Sequence, residues 1–181
     1  MKFIETELKD VVIVEPDVFG DHRGYFMETW KDETFRQHFP NVNFIQDNES
    51  MSSQGVIRGL HYQKGEWSQA KLVRVIMGTV YDVAVDLRKN SPTFGKHVIV
   101  ELSGENKRQL FVPRGMAHGF LVTSPSAVFA YKVDNVYRPD QEACIRWDDK
   151  ELNIQWPFEG LTIQTSEKDA KGVAFADAIY F

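Results

Sequence analysis

The sequence predicts an all-β fold, a sandwich or barrel with a few short helices. Three observations point there. Short runs of sheet-forming residues are broken by turn residues at a spacing of about 8–12 positions along most of the chain. Rings are abundant: aromatic residues make up 13% of the 181, with 13 phenylalanines, a composition that favours sheets and ring-lined pockets. Hydrophobic residues at 43% and charged residues at 26% are globular averages, in a chain long enough for one real core. There is no repeat, low-complexity tract or linker, so residues 1–181 read as a single domain.

The elements follow in order. Residues 11–16 (VVIVEP) and 24–30 (GYFMETW) read as strands flanking the turn FGDHRG. Residues 31–39 (KDETFRQHF) have helical spacing and are closed by Pro40, which disfavours helix at the residue before it. NFIQDNESMS and GVIRGLHYQ are strands around the turn signal SSQG. Residues 70–88 form two long strands joined at Met77-Gly78, with Val80, Val83 and Val85 as sheet formers. HVIVELS, RQLFVPRG, AHGFLVTS, SAVFAYKVDNVY and EACIRWDD complete the strand set. In the tail, from about residue 162, SEKDAKG fits a short helix or a loop equally well.

Charge and cysteine content narrow the function classes. Twenty-one basic against 26 acidic residues give a net charge of −5, which argues against a general nucleic-acid or anionic-membrane binder while allowing a local basic pocket. The one cysteine, Cys144, can form neither an internal disulfide nor a cysteine-rich metal site. No apolar run reaches the roughly 18 residues of a membrane span, and MKFIETELKD has no signal-peptide core. A soluble cytoplasmic protein is expected.

Among the five histidines, His22, His38, His61, His97 and His118, two stand in unusual contexts. His38 on the helix and His97 in an edge-like strand read as surface or satisfied side chains. His61 lies among polar residues in RGLHYQ, and His118 follows the constrained turn set by Pro113, Gly115 and Gly119 in FVPRGMAHGF. The spacing Pro-x-Gly-x-x-His at residues 113–118 resembles the second motif of the cupin superfamily, a double-sheet jelly-roll barrel. Metal-binding cupins add a His-x-His pair and a downstream carboxylate. Here His61 is followed by Tyr62 and Gln63, so no metal is expected.

A closer resemblance runs collinearly from about residue 11 to residue 157. DHRGYFMETW, FIQDNESMSSQGVIRGLHYQ, QAKLVRVIMGTVYDVAVDLRKNSPTFGK, FVPRGMAHGF and EACIRWDDKELNIQWP are similar to the dTDP-4-dehydrorhamnose 3,5-epimerase family. The resemblance implies a cofactor-independent isomerase of dTDP-L-rhamnose biosynthesis, acting as a homodimer on dTDP-4-dehydro-6-deoxy-D-glucose and inverting both carbons beside its ketone. Each inversion needs a base to take the C–H proton, a cation or donor at the keto oxygen, and an acid on the far face. The substrate's own ketone takes up the charge, so neither redox cofactor nor metal is required.

His61 suits the base, since free imidazole titrates near pH 6.5. By resemblance Asp169 holds its other nitrogen; read alone, Asp169 is a solvated tail carboxylate. Lys71, at the head of an apolar strand, fits oxyanion stabilisation or a strand-end lysine reaching solvent. Tyr131 either packs or donates the far-face proton, the role the resemblance gives it. Arg58 and His61 are three positions apart and would face opposite ways on a regular strand, unless Gly59 marks a bulge. The resemblance also places Arg23, Arg58 and Lys168 at the pyrophosphate, Glu28, Gln46, Asn48 and Glu142 at thymine or sugar, and Tyr137 on the base. His118 either bonds substrate near the ketone or pyrophosphate or supports the turn. Two alternatives remain: an epimerase of one centre only, and a non-catalytic sugar-nucleotide-binding cupin.

Overall fold

Two facing antiparallel sheets arise from this alternation. The computed structural model describes residues 1–181. Its strands are β1 (Lys2–Glu5), β2 (Val12–Glu15), β3 (Val18–Asp21), β4 (Gly24–Met27), β5 (Gln46–Ser53), β6 (Ile57–Gln63), β7 (Lys71–Met77), β8 (Thr79–Asp86), β9 (His97–Ser103), β10 (Gln109–Val112), β11 (Met116–Val122), β12 (Ser126–Val133) and β13 (Glu142–Cys144). The two α-helices are α1 (Asp32–His38) and α2 (Glu167–Ala170). One sheet runs β1-β2-β10-β7-β12-β5, the other β13-β6-β11-β8-β9, and β3-β4 stand apart as a hairpin. This is the jelly-roll barrel the sequence predicts.

Between the sheets, Val73, Val75, Leu110 and Phe129 of the first pack on Val80, Ala84, Leu102, Phe120 and Val122 of the second. The outer face of the five-stranded sheet is covered as well. Leu60, Tyr62, Val83, Val85 and Leu121 meet Leu152, Ile154 and Trp156, which follow β13, and Phe175 from the tail. Strands β8 and β11 are therefore buried on both faces, which is why their sequences are nearly unbroken apolar runs. The β7–β8 joint predicted at Met77-Gly78 falls where Gly78 takes φ +84°, with Ser126 O only 2.1 Å from where a Cβ would sit.

Helix α1 matches its prediction. Asp32 and Glu33 lie in its first turn and Arg36 and His38 in its last, as the helix dipole favours, and Phe35 anchors it against Val12, Val14, Leu72 and Phe111. The turn FGDHRG is shorter than predicted. Residues 18–21 form β3 and pair with β4, placing Phe19 opposite Phe26. Every residue of β3 is exposed, so no inside–outside alternation marked it as a strand. In the tail the helical alternative holds for α2. That tail is stitched to the sheet by the parallel bridges Val56↔Gln164 and Ile145↔Val173. No helix is long and apolar enough to cross a membrane.

Candidate active site

Strands β5, β6, β7, β11 and β12 turn polar side chains into one cavity of about 160 Å³. Ser50, Arg58, His61, Lys71, His118 and Tyr131 line it, together with Phe120 and Phe129, whose rings stack at 4.2 Å. The parity problem at Arg58 and His61 is solved by a register shift. His118 pairs with His61 and Phe120 with Arg58, so two steps on β11 span three on β6. The extra residue is taken up around Gly59, at φ +127°. A Cβ there would lie 2.6 Å from the Cα of Gly119, so only glycine permits the approach.

His61 Nε2 lies 2.5 Å from Asp169 Oδ1. The imidazole is 28% exposed and the carboxylate 4%. Asp169 reaches this position because Ser166 caps α2, its hydroxyl accepting from the Asp169 N–H at 3.1 Å. Burial alone would raise the Asp169 carboxyl, but bonds from His61, Ser166 and the Gly59 N–H outweigh it and hold the group below the ordinary carboxylate range. An ionised Asp169 accepts the Nε2 proton, so the lone pair of the neutral ring is on Nδ1.

A second pair lies deeper. His118 Nε2 is 2.9 and 3.0 Å from the two oxygens of Asp82, on the adjoining strand β8. Burial pushes the Asp82 carboxyl up, partly countered by His118 and Lys71, and pulls the His118 ring below its ordinary value. Asp82 was absent from the sequence-based candidates. Its signal was an acid within the valine-rich run VYDVAVD, where a charge needs a buried partner.

Lys71 is half-buried at the start of β7. Loss of solvent lowers its ammonium to about 8, against the pull of Asp82 and Glu142. Tyr131 sits on β12 opposite Asn48, and burial raises its phenol while Arg58 lowers it. On edge strand β5, Gln46 Nε2 donates to Asn48 Oδ1 at 2.8 Å. Arg58 Nε donates to Ser52 Oγ at 3.0 Å.

Tyr137, Glu142 and Lys168 form a separate polar cluster. Tyr137 donates to Glu142 Oε2 at 2.6 Å, and Lys168 pairs with the same oxygen. Burial would raise Glu142, but these two partners hold it low. Glu142 and Lys168 line an open groove of about 700 Å³ that Cys144 also faces. Burial pushes the Cys144 thiol up to about 12. Arg23 and Glu28 are not brought to the cavity of their own chain. Arg23 lies in the exposed turn of the β3–β4 hairpin, ion-paired with Asp21 at 2.6 Å, and Glu28 is an exposed residue just after β4.

A cupin-type barrel whose cavity gathers a carboxylate-backed imidazole, a phenol and an ammonium defines an enzyme of acid–base chemistry. The family model described as dTDP-4-dehydrorhamnose 3,5-epimerase matches residues 5–177, and the chain belongs to that family. It is 53% identical to dTDP-4-dehydrorhamnose 3,5-epimerase of Shigella flexneri over 182 residues, covering 100% of this chain and 99% of the relative. The crystal structure of dTDP-4-dehydrorhamnose 3,5-epimerase from Elizabethkingia anophelis NUHP1 superposes with TM-score 0.95 at 51% identity, covering 99% of each chain. That of dTDP-6-deoxy-D-glucose-3,5-epimerase from Legionella pneumophila Philadelphia 1, in complex with dTDP-4-keto-L-rhamnose, gives TM-score 0.91 at 46% identity over 96% of this chain and 92% of the other.

Proposed function

We propose that this cavity converts dTDP-4-dehydro-6-deoxy-D-glucose to dTDP-4-dehydro-L-rhamnose, in dTDP-L-rhamnose biosynthesis, with His61 as base and Tyr131 as acid. The observation that carries the reading is that His61, backed by Asp169, and Tyr131 line the same small cavity. The free Nδ1 of His61 takes the proton beside the ketone, and Asp169 stabilises the imidazolium that forms. Lys71, still mainly charged at neutral pH, stabilises the enolate oxygen. Tyr131 returns a proton from the opposite face, and the step is repeated at the second carbon. His118 bonds substrate near the ketone or pyrophosphate and is itself held by Asp82. Arg58 and Lys168 meet the pyrophosphate, and Gln46, Asn48, Tyr137 and Glu142 the thymidine end.

The hairpin supports a homodimer. Phe19 and Phe26 are 66% and 70% exposed on an arm outside the barrel cores, and the same arm carries Arg23, with Glu28 close behind it. In a dimer that receives the arm, both residues serve the partner's cavity. Residues 1–181 act as one cupin-like cytoplasmic domain without nucleic-acid or membrane partners, a reading supported by the net charge of −5.

Incubation with the 4-keto substrate in heavy water tests the assignment. Deuterium at carbons 3 and 5 with both centres inverted is expected. Deuterium at one carbon alone indicates the single-centre reading, and nucleotide binding without any exchange indicates the non-catalytic one.

A further inference from the structure

Three metal-ligand side chains from three separate elements meet beside the cavity: His61 of β6, Cys144 of β13 and Asp169 of α2. Their donor atoms lie within 4.8 Å of one another. Cys144 is paired with His61 in the β13–β6 register. Its Sγ lies 4.0 Å from Asp169 Oδ1, the same oxygen that His61 Nε2 approaches at 2.5 Å. We propose that this cluster is an inhibitory site for a four-coordinate divalent cation of borderline softness, zinc above all. Cys144 Sγ, His61 Nε2 and Asp169 Oδ1 are its protein ligands, and water takes the fourth position.

The donor set selects the ion. Thiolate, imidazole and carboxylate together suit tetrahedral zinc or cobalt(II), whereas magnesium and calcium require oxygen ligands. Zinc bond lengths of about 2.0–2.3 Å place tetrahedral ligands roughly 3.3–3.6 Å apart. The His61–Asp169 contact therefore opens and the Cys144–Asp169 contact closes, each by less than about 1 Å. A thiolate and a carboxylate cancel the charge of the ion, which limits the cost of holding it beside the buried Asp169 carboxylate. The protons balance. Cys144 loses one to solvent, while the ring proton of His61 moves from Nε2 to Nδ1 and leaves the imidazole neutral. Nδ1 then carries hydrogen instead of a lone pair, and the base is lost.

Because Cys144 opens onto the groove shared with Glu142 and Lys168, the ion reaches the cluster without filling the cavity. Zinc should therefore lower kcat and leave KM nearly unchanged. The inhibition rests on the proposed role of His61; the binding does not, and the two are measured separately.

Cobalt(II) titrated into the full chain reports binding directly. Cys144 is the only cysteine, so a thiolate-to-cobalt charge-transfer band can arise nowhere else, and no variant is needed to read it. One cobalt per chain with that band, one proton released as the cobalt binds, and displacement by zinc without further proton release, is the expected result; saturation without the band overturns the site. In turnover assays, Cys144→Ser should weaken zinc inhibition by about 10–100-fold or more relative to that variant's own zinc-free rate, and a chelator should restore wild-type turnover. Equal zinc inhibition of wild type and variant overturns the proposal. Cobalt bound with the band but without inhibition upholds the site and refutes His61 as the base.

Discussion

His61–Asp169 and His118–Asp82 are two histidine–aspartate pairs whose histidines face each other across β6 and β11, yet their surroundings differ. The His61 ring is 28% exposed, while the His118 side chain is 7% and Asp82 0% exposed. Asp169 comes from a short helix in the tail and is held ionised by three bonds that outweigh burial. Asp82 comes from the neighbouring strand of the same sheet, and burial raises it. A part-exposed ring beside an ionised carboxylate has one nitrogen held and the other open to the cavity. A ring and a carboxyl that both resist charge are suited to holding position. The same two residue types thus differ through the ring's exposure and the bonds each carboxylate accepts, and the proposed base belongs to the pair with the exposed ring and the well-bonded carboxylate.

That contrast can be broken by mutation, starting with the largest effect. His61→Ala should reduce deuterium exchange at both carbons by about 10²–10⁴, the usual worth of a positioned base, with nucleotide affinity within a few-fold; NMR exchange and equilibrium binding measure the two. Exchange at the wild-type rate would transfer the base role elsewhere. Tyr131→Phe should still wash protons out through His61 but fail to invert at least one carbon, most readily carbon 5. Deuterium content and stereochemistry read from one NMR sample decide it, and full double inversion would reduce Tyr131 to packing.

Asp82→Ala should act mainly on the fold. It leaves the His118 N–H buried without an acceptor, a loss of about 1–3 kcal/mol. At this chain length that is roughly 2–4 °C of Tm per kcal/mol, and calorimetry should find a larger drop than for His61→Ala, whose ring is part-exposed. The smallest effect concerns Lys71, whose folded value is about 8 against 10.5 in the free side chain. The unfolded chain therefore binds more protons between those values, and the contribution of Lys71 to stability rises with pH across that window. Below pH 8 Lys71→Met should melt higher than wild type, with the gap closing toward pH 10.5, while its turnover falls. A pH-independent difference in melting would show that Lys71 is not desolvated.

The strands were legible wherever a face is buried. The alternation of β12, the apolar runs of β8 and β11 and the glycine joint at Gly78 all have local causes. Strands β1 and β3 were not, because they are almost wholly exposed and carry no alternation, whereas β4, exposed as well, was marked by its aromatic composition. The site was less legible than the fold. Lys71 and Tyr131 announced themselves as polar residues within apolar strands, and Asp82 carried the same mark unnoticed. Arg58 and His61 conflict on spacing alone, and the bulge that Gly59 allowed is the alternative the register shift bears out. Asp169 came only through resemblance, since 108 residues separate it from His61 and nothing local distinguishes it from a solvated carboxylate.

That separation also sets an order of events in time. A ribosome adding about 5–20 residues per second makes His61 roughly 5–20 s before Asp169, and all thirteen strands are in the chain before α2 is. Through that interval the nascent chain carries an imidazole with no Asp169 carboxylate to orient it. On the roles proposed for His61 and Asp169, the base gains its carboxylate only once the tail is made, after every strand, and the same tail brings Phe175 to cover the outer face of the sheet.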